Sequence, residues 1–303
     1  MTGNLEKAYQ TPELWSQTYP RVESLSPQSL LGGLSTHGTG RFERAIKASQ
    51  ELIAADPDFV MAYGGLALSY FLTDRFPEAE STLQRASERK LENPNCLILR
   101  YNIAVLKGNQ EQMDRAVGLA KGKRRAEHLM AHEEALALAL SGDFSRSEAL
   151  ANDLDKRFSE DTFVKFTYAP VLRALAALGR GKPADSVERL QIALRYELAS
   201  NGLNFNFYLG GLHSAYVRGE ALFALHRYAE AAAEFQKILD HRGIVGADPI
   251  GALAHLHLGR AYTSSGDNAK AKSGYEEFLT LWKHADSDIP ILQQAKAEYA
   301  KLQ

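Results

Sequence analysis

The strongest constraint on this 303-residue chain is a repeat of fixed length. The segments GRFERA, DRFPEA, GNQEQM and GDFSRS begin at Gly40, Asp74, Gly108 and Gly142, and each start lies 34 residues after the one before. A period kept this closely makes every stretch a copy of one supersecondary unit, stabilised by stacking on its neighbours. The pattern continues, with insertions, at GKPADS from Gly181, HRYAEA from His226 and GDNAKA from Gly266, giving seven turns of one kind.

Each segment reads as a turn that opens a helix and follows an earlier stretch of helical apolar spacing. In the last unit Leu253, Leu256, Ala261 and Tyr262 mark the first helix, and Ala271, Tyr275 and Phe278 the second, mostly at steps of three and four. Ala67, Gly219 and Gly259 on first helices face Ala79, Ala231 and Ala271 on second helices. Small residues at such a crossing let the axes approach to roughly 8–10 Å. Tyr63, Leu66 and Tyr70, or Leu258 and Tyr262, fill the space around it, and Pro57 closes the first 34-residue unit after its second helix. The predicted fold is all-α.

The stretches AYGGLALSY, AHLHLGRAY and YVRGEALFAL resemble the first-helix signature of the tetratricopeptide-repeat (TPR) family. Gly32, Gly33 and Thr36 in the first full unit, and Arg100 and Tyr101 in the third, depart from that signature. The resemblance implies a right-handed TPR superhelix, an α-solenoid of antiparallel helix pairs whose concave face binds extended peptides or helices. The expected organisation is a truncated half repeat at 1–25, repeats 1 to 5 at 26–200, an Asn/Gly/Phe-rich insertion at 201–213, repeats 6 and 7 at 214–285, and a capping helix at 286–303.

The half repeat rests on GNLEKA from Gly3, which matches the turn motif, and on Ala8, which matches the small residue of a second helix. Pro20 stands 12 residues after Ala8, as Pro57 stands 12 after Ala45. The chain is thus expected to begin inside a repeat, leaving Leu5, Trp15 and Tyr9 short of a packing surface that a second copy could supply. Thr11 is a candidate cap for a short helix starting at Pro12. The sequence from Tyr216 to Gln303, with GNLEKAYQTPELWSQTYP and LANDLDKRFSEDTFVKF, resembles the C-terminal TPR arrays of bacterial serine/threonine protein kinases and related regulators. That resemblance implies a signalling context, with any kinase domain upstream, and a cytoplasmic location, or a periplasmic one if the parent has a membrane span.

Charge and motifs narrow the function classes. Lys and Arg total 35 against 37 Asp and Glu, a net charge of -2, so no global field draws the chain to nucleic acid or an anionic membrane. The single cysteine, Cys96, cannot form an internal disulfide, and no apolar run approaches a bilayer span. Asp143-Phe144-Ser145 and His241-Arg242-Gly243 look like fragments of kinase motifs but fall at turns without the rest of the set. Gly179 to Pro183, GRGKP, lacks the first glycine and the hydroxyl residue of a phosphate loop. His128 and His132 are spaced four apart on a helix, yet Leu136 stands where an HExxH motif needs its second histidine. The basic run Lys121, Lys123, Arg124 and Arg125 reads as a solvated loop. Phe205, Phe207 and Tyr208 in the insertion form either a binding loop or a cover for a helix edge. No catalytic residue, metal or cofactor is expected, and the chain reads as a non-enzymatic binder of a protein or peptide.

First-helix residues turned away from the second helix should line the concave groove. By position these are Gly64, Leu68, Phe71, Ile98, Asn102, Val105, His213, Tyr216, Glu220, His257 and Arg260. The early part is apolar and suits an amphipathic helix or an apolar extended peptide, while the C-terminal part mixes a carboxylate, a guanidinium and an aromatic ring. Within the last unit, His255 is expected to pack and His257 to face the groove. Asp248 is the expected cap of the final unit's first helix, with Pro249 at its first position.

Overall fold

A computed structural model of the chain describes residues 41–302, except 92, 124–125, 200–209, 247, 284, 286 and 288, together with isolated positions 10, 14 and 18. Apart from those three positions the half repeat at 1–25 lies outside the described residues, as do Gly32, Gly33 and Thr36, the aromatic cluster Phe205, Phe207 and Tyr208, and Arg124 and Arg125.

The described residues form helices and no strands. In chain order they are α1 (Phe42–Ala55), α2 (Val60–Phe71), α3 (Phe76–Glu88), α4 (Pro94–Leu106), α5 (Gln110–Ala120), α6 (Ala126–Leu140) and α7 (Phe144–Arg157). Next come a π-helical turn (Val164–Tyr168), α8 (Ala169–Gly179), α9 (Pro183–Arg189) and a 3-10 segment (Gln191–Tyr196). The C-terminal part holds α10 (Leu212–Ala224), α11 (Tyr228–Asp240), α12 (Arg242–Val245), α13 (Ile250–Ser265), α14 (Asn268–Leu281) and α15 (Pro290–Ala300). The pairs α2/α3, α4/α5, α6/α7, α8/α9, α10/α11 and α13/α14 pack together, α1 packs on α2, and first helices stack on first helices.

One turn geometry ends every described first helix. Asp74, Gly108, Gly142, Gly181, His226 and Gly266 all have positive φ, between 56° and 88°. After each, the next backbone N–H reaches back five residues, as in Arg75 to Tyr70 at 2.9 Å, Asn109 to Ala104 at 2.9 Å and Asp143 to Leu138 at 2.8 Å. This is the Schellman arrangement, which satisfies carbonyls that the helix end would otherwise orphan. The 34-residue spacing in the sequence is therefore the spacing of left-handed helix stops.

The residue after the stop starts the second helix. Where it is Asn109, Asp143 or Asp267, its side chain accepts from the backbone N–H three residues on, at 3.1 Å in each case. Where it is arginine, the capping bond is replaced by an ion pair along the first turn, Arg75 to Glu78 at 2.9 Å and Arg227 to Glu230 at 2.7 Å.

In the last unit the small-residue crossing brings the two backbones together. A Cβ placed on Gly274 of α14 would lie 2.8 Å from the backbone nitrogen of Gly259 on α13, and one on Gly259 would lie 2.9 Å from the Tyr275 ring. Ala67, Ala79, Ala231 and Ala271 are fully buried at the equivalent positions.

Regularity breaks in the middle. The fourth described pair begins with the π-helical turn, whose bonding runs one residue wider than that of an α-helix and accommodates extra length ahead of Pro170. Its second helix, α9, has only 7 residues and passes into the 3-10 segment. A small cluster of Val171, Ala174, Leu190 and Val217 joins α8 and α9 to α10. Beside it, buried Arg218 pairs with Glu197 and Glu234, and Lys237 closes the network at 3.0 Å from both carboxylates. In the second insertion α12 fills part of the extra length; α13 starts at Ile250, one residue later than expected, with Pro249 rather than Asp248 at its N-cap, and Asp248 accepts from the Ile250 N–H at 3.1 Å.

Candidate functional site

The concave groove differs between its two halves. Gly64, Leu68 and Ile98 do not form its surface. Leu68 and Ile98 are 3% and 0% exposed and sit in core clusters, and Gly64 lies against Asn93 and Cys96 at the next first helix. The correction has a simple cause: first helices pack directly on one another, so positions aimed between them are absorbed into the core. Phe71, Asn102 and Val105 remain half-buried, with Phe71 edge-on to Phe76 at 5.8 Å.

The C-terminal half holds an open cleft of about 690 Å³. Glu220 and Phe223 enter it from α10, His257, Arg260, Thr263 and Ser264 from α13, and Tyr275 from α14. Its far wall is Gln294 and Glu298 of α15, with Lys301 and Leu302 just beyond. Three of the expected groove residues, Glu220, His257 and Arg260, thus share one cavity. A fourth, Tyr216, stands at its back and shares a hydrogen bond with His257 Nε2 at 3.1 Å.

His257 is the more buried of the two histidines, whereas His255 is half-buried. The His257 ring stacks on Phe235 at 5.0 Å between centroids and meets Tyr216 edge-on at 5.5 Å. Burial, with the nearby Arg260 charge, lowers its pKa to about 3, so it is a neutral hydrogen-bonding group at physiological pH. Glu220 lies 3.7 Å from His257 Nε2. Burial raises its pKa to about 7, against the opposing effects of the Tyr216 hydroxyl and Arg260. The guanidinium of Arg260 is held by Glu298 through two hydrogen bonds, at 2.8 and 3.0 Å.

His213 is buried and lies outside the cleft, with its Nε2 2.8 Å from a carboxylate oxygen of Asp248. That contact ties α10 to the start of α13. Near Asn102 on the inner face, buried Glu133 has its pKa raised to about 8, chiefly by desolvation; Asn102 hydrogen-bonds to it and the Asp248 charge adds to the shift. Sequence reasoning missed Tyr275 and Glu298, which reach the cleft from a second helix and from the capping helix, and also Phe223, Thr263 and Ser264, which lie in the last turn or so of the first helices α10 and α13, beyond the positions expected to face the groove.

The remaining motifs have structural roles. Asp143 caps α7, Gly181 is a left-handed helix stop, and His241 precedes α12. His132 is buried and stacks on Tyr168 at 4.3 Å, and among the described residues no group of three potential ligands could hold a metal. Lys121 and Lys123 are exposed in the turn after α5. Among the described residues no helix is long and apolar enough to cross a membrane.

A stack of antiparallel helix pairs, first helix on first helix, defines an α-solenoid. Sequence models of the tetratricopeptide repeat match residues 37–103, 171–240 and 216–279, and the chain is an all-α TPR superhelix. Solved structures of similar fold include a tetratricopeptide repeat protein from Parabacteroides merdae, at 15% identity over 78% of this chain and 86% of that one, with a TM-score of 0.51. Yeast Tom70 aligns at 17% identity over 98% of this chain and 58% of its own, TM-score 0.63. The APC/C hetero-tetramer Cut9–Hcn1 aligns at 14% over 99% and 53%, TM-score 0.56. The chain spans little more than half the length of these last two. No curated protein sequence matches it. TPR repeats generally mediate protein–protein interaction.

Proposed function

We propose that this chain is a non-catalytic interaction scaffold that holds a peptide or helix of a protein partner in its concave groove, with the C-terminal cleft as the main contact. The observation that carries this reading is the cleft itself. Aromatic, hydroxyl and charged side chains from α10, α13, α14 and α15 converge on about 690 Å³ of open space. On this reading the half-buried Phe71, Asn102 and Val105 continue the contact surface toward the N-terminal units. Resemblance to the repeat arrays of bacterial kinases supports a finer reading, in which the chain is the cytoplasmic interaction end of a larger bacterial signalling regulator.

The test places the photo-crosslinker benzoylphenylalanine at position 223 in the native host, with position 47 on exposed α1 as the control. Capture of a discrete protein from 223 and not from 47, lost in a Tyr216→Ala variant of unchanged helicity, is the expected result. Equal labelling from both positions would defeat the reading. The mass and N-terminal sequence of the native product test the larger-regulator assignment.

A further inference from the structure

The charges lining the C-terminal cleft are unequally matched. Arg260 has its fork filled by Glu298, and Tyr275 donates a third hydrogen bond to the same carboxylate at 3.0 Å. Glu220 accepts a hydrogen bond from the Tyr216 hydroxyl and feels the Arg260 charge across the cleft, but makes no direct ion pair with a lysine or arginine among the described residues. The neutral His257 lies 3.7 Å from its carboxylate. Its side chain keeps 29% exposure and faces the cleft rather than bulk solvent. Phe223 lies one turn along the same helix and lines the same space.

A desolvated carboxylate whose nearby guanidinium is already held by another carboxylate carries an electrostatic cost that an incoming cation would reduce. The aromatic ring one turn away offers a face for the methylene stem of a long basic side chain. We propose that the cleft receives an arginine or lysine of the partner segment, with Glu220 as its counter-ion and Phe223 against its stem. This inference rests on the groove-binding reading and specifies the partner's chemistry at that site.

Ionisation of Glu220 adds a second signature. The groups facing it are Tyr216 on its own helix, His257 and Arg260 on α13, and Tyr275, Glu298 and Lys301 across the cleft. Of these, His257 stays neutral and Tyr275, raised to about 12, stays protonated throughout pH 6–8, so Glu220 is the group that changes charge there.

The experiment titrates the full chain, labelled at threonine and leucine methyls, with acetyl-Ala-Leu-Arg-Leu-Ala-amide and with versions carrying citrulline or glutamate at the centre, following the Thr263 and Leu302 resonances. The expected result is saturable binding of the arginine peptide at pH 8, at least tenfold weaker binding of the citrulline peptide, and the same tenfold loss in Glu220→Gln. Binding of the arginine peptide should weaken roughly five- to tenfold at pH 6, as protonation removes the carboxylate. Equal affinity for all three peptides would overturn the basic-residue inference while leaving groove binding intact, and so would preference for the glutamate peptide. A dimer at micromolar concentration that Glu220→Gln dissolves would overturn it too, by identifying a second copy of the chain as the occupant. Unchanged melting of Glu220→Gln distinguishes lost binding from lost fold.

Discussion

Glu298 and Arg260 meet as a bidentate pair, with Nε and Nη2 of the arginine donating to the two carboxylate oxygens at 2.8 and 3.0 Å. Since Tyr275 donates to the same carboxylate, one side chain of α15 binds both helices of the last repeat. Arg260→Ala should lower stability by about 1–2 kcal/mol, near the lower end for charged hydrogen bonds because the pair is partly solvated. Arg260→Lys should fall between the two, as it keeps the charge and loses the fork. Urea unfolding measures both, and a lysine variant as stable as wild type would show that the fork geometry contributes nothing.

Asp74 occupies a left-handed conformation, φ 56°, where four of the other repeats have glycine. Its side chain is exposed, so Asp74→Gly should relieve backbone strain and raise stability by about 0.5–1 kcal/mol after the entropic cost of glycine. The converse, Gly142→Ala, should destabilise by about 1 kcal/mol. Thermal melts of the two variants should move in opposite directions.

Two helical glycines should respond to alanine with opposite sign. Gly274→Ala drives a methyl to 2.8 Å from the backbone of α13 and should cost about 1–3 kcal/mol as the helices are wedged apart. Gly118 sits in α5 with nothing within 4 Å of an added Cβ, so Gly118→Ala should stabilise by about 0.5–1 kcal/mol. Equal effects at both sites would mean the α13/α14 crossing yields without resistance.

Glu133 makes stability fall as pH rises. Its folded pKa, about 8, lies above its ordinary value of 4.5, so between those limits the folded state holds a proton that the unfolded state has lost. His257 acts with the opposite sign, but only between about pH 3 and 6.5, and drops out above that. From pH 6.5 to 8 the wild type should therefore lose about 2 kcal/mol through Glu133, with a smaller contribution from Glu220 as it titrates near 7. Glu133→Gln should flatten most of that decline, as read by chemical denaturation at a series of pH values.

The repeat was legible because its marker is a backbone requirement. A left-handed helix stop restricts residue choice, so Gly108, Gly142, Gly181 and Gly266 announce themselves, and helical periodicity supplies what lies between. That Glu220, His257 and Arg260 share one cleft was readable for a related reason, since they recur on first helices at equivalent positions, whereas His213 from the same set lies outside it. The early groove was not. Whether Leu68 or Ile98 faces the groove or the next repeat depends on the rotation of one helix pair against another, a few tens of degrees that periodicity does not encode. Tyr275 and Glu298 were invisible as cleft residues because they arrive from a second helix and from the cap. Glu133 gave no signal either, since burial of a carboxylate depends on what packs over it.

The narrow joint around Val171, Ala174, Leu190 and Val217 bears on how the array comes apart. Larger apolar clusters lie on either side, one running from α4 to α8 and another from α10 to α13, while the pair between them has a shortened second helix and a π-helical turn. In a linear array, opening begins where the nearest-neighbour interface is weakest. Amide hydrogen exchange should resolve two foldons that meet at α9 and the 3-10 segment, with the cleft-bearing block able to persist while the N-terminal units exchange. A partner seated in the cleft would then slow exchange in α10, α13 and α14 without protecting α2 to α5.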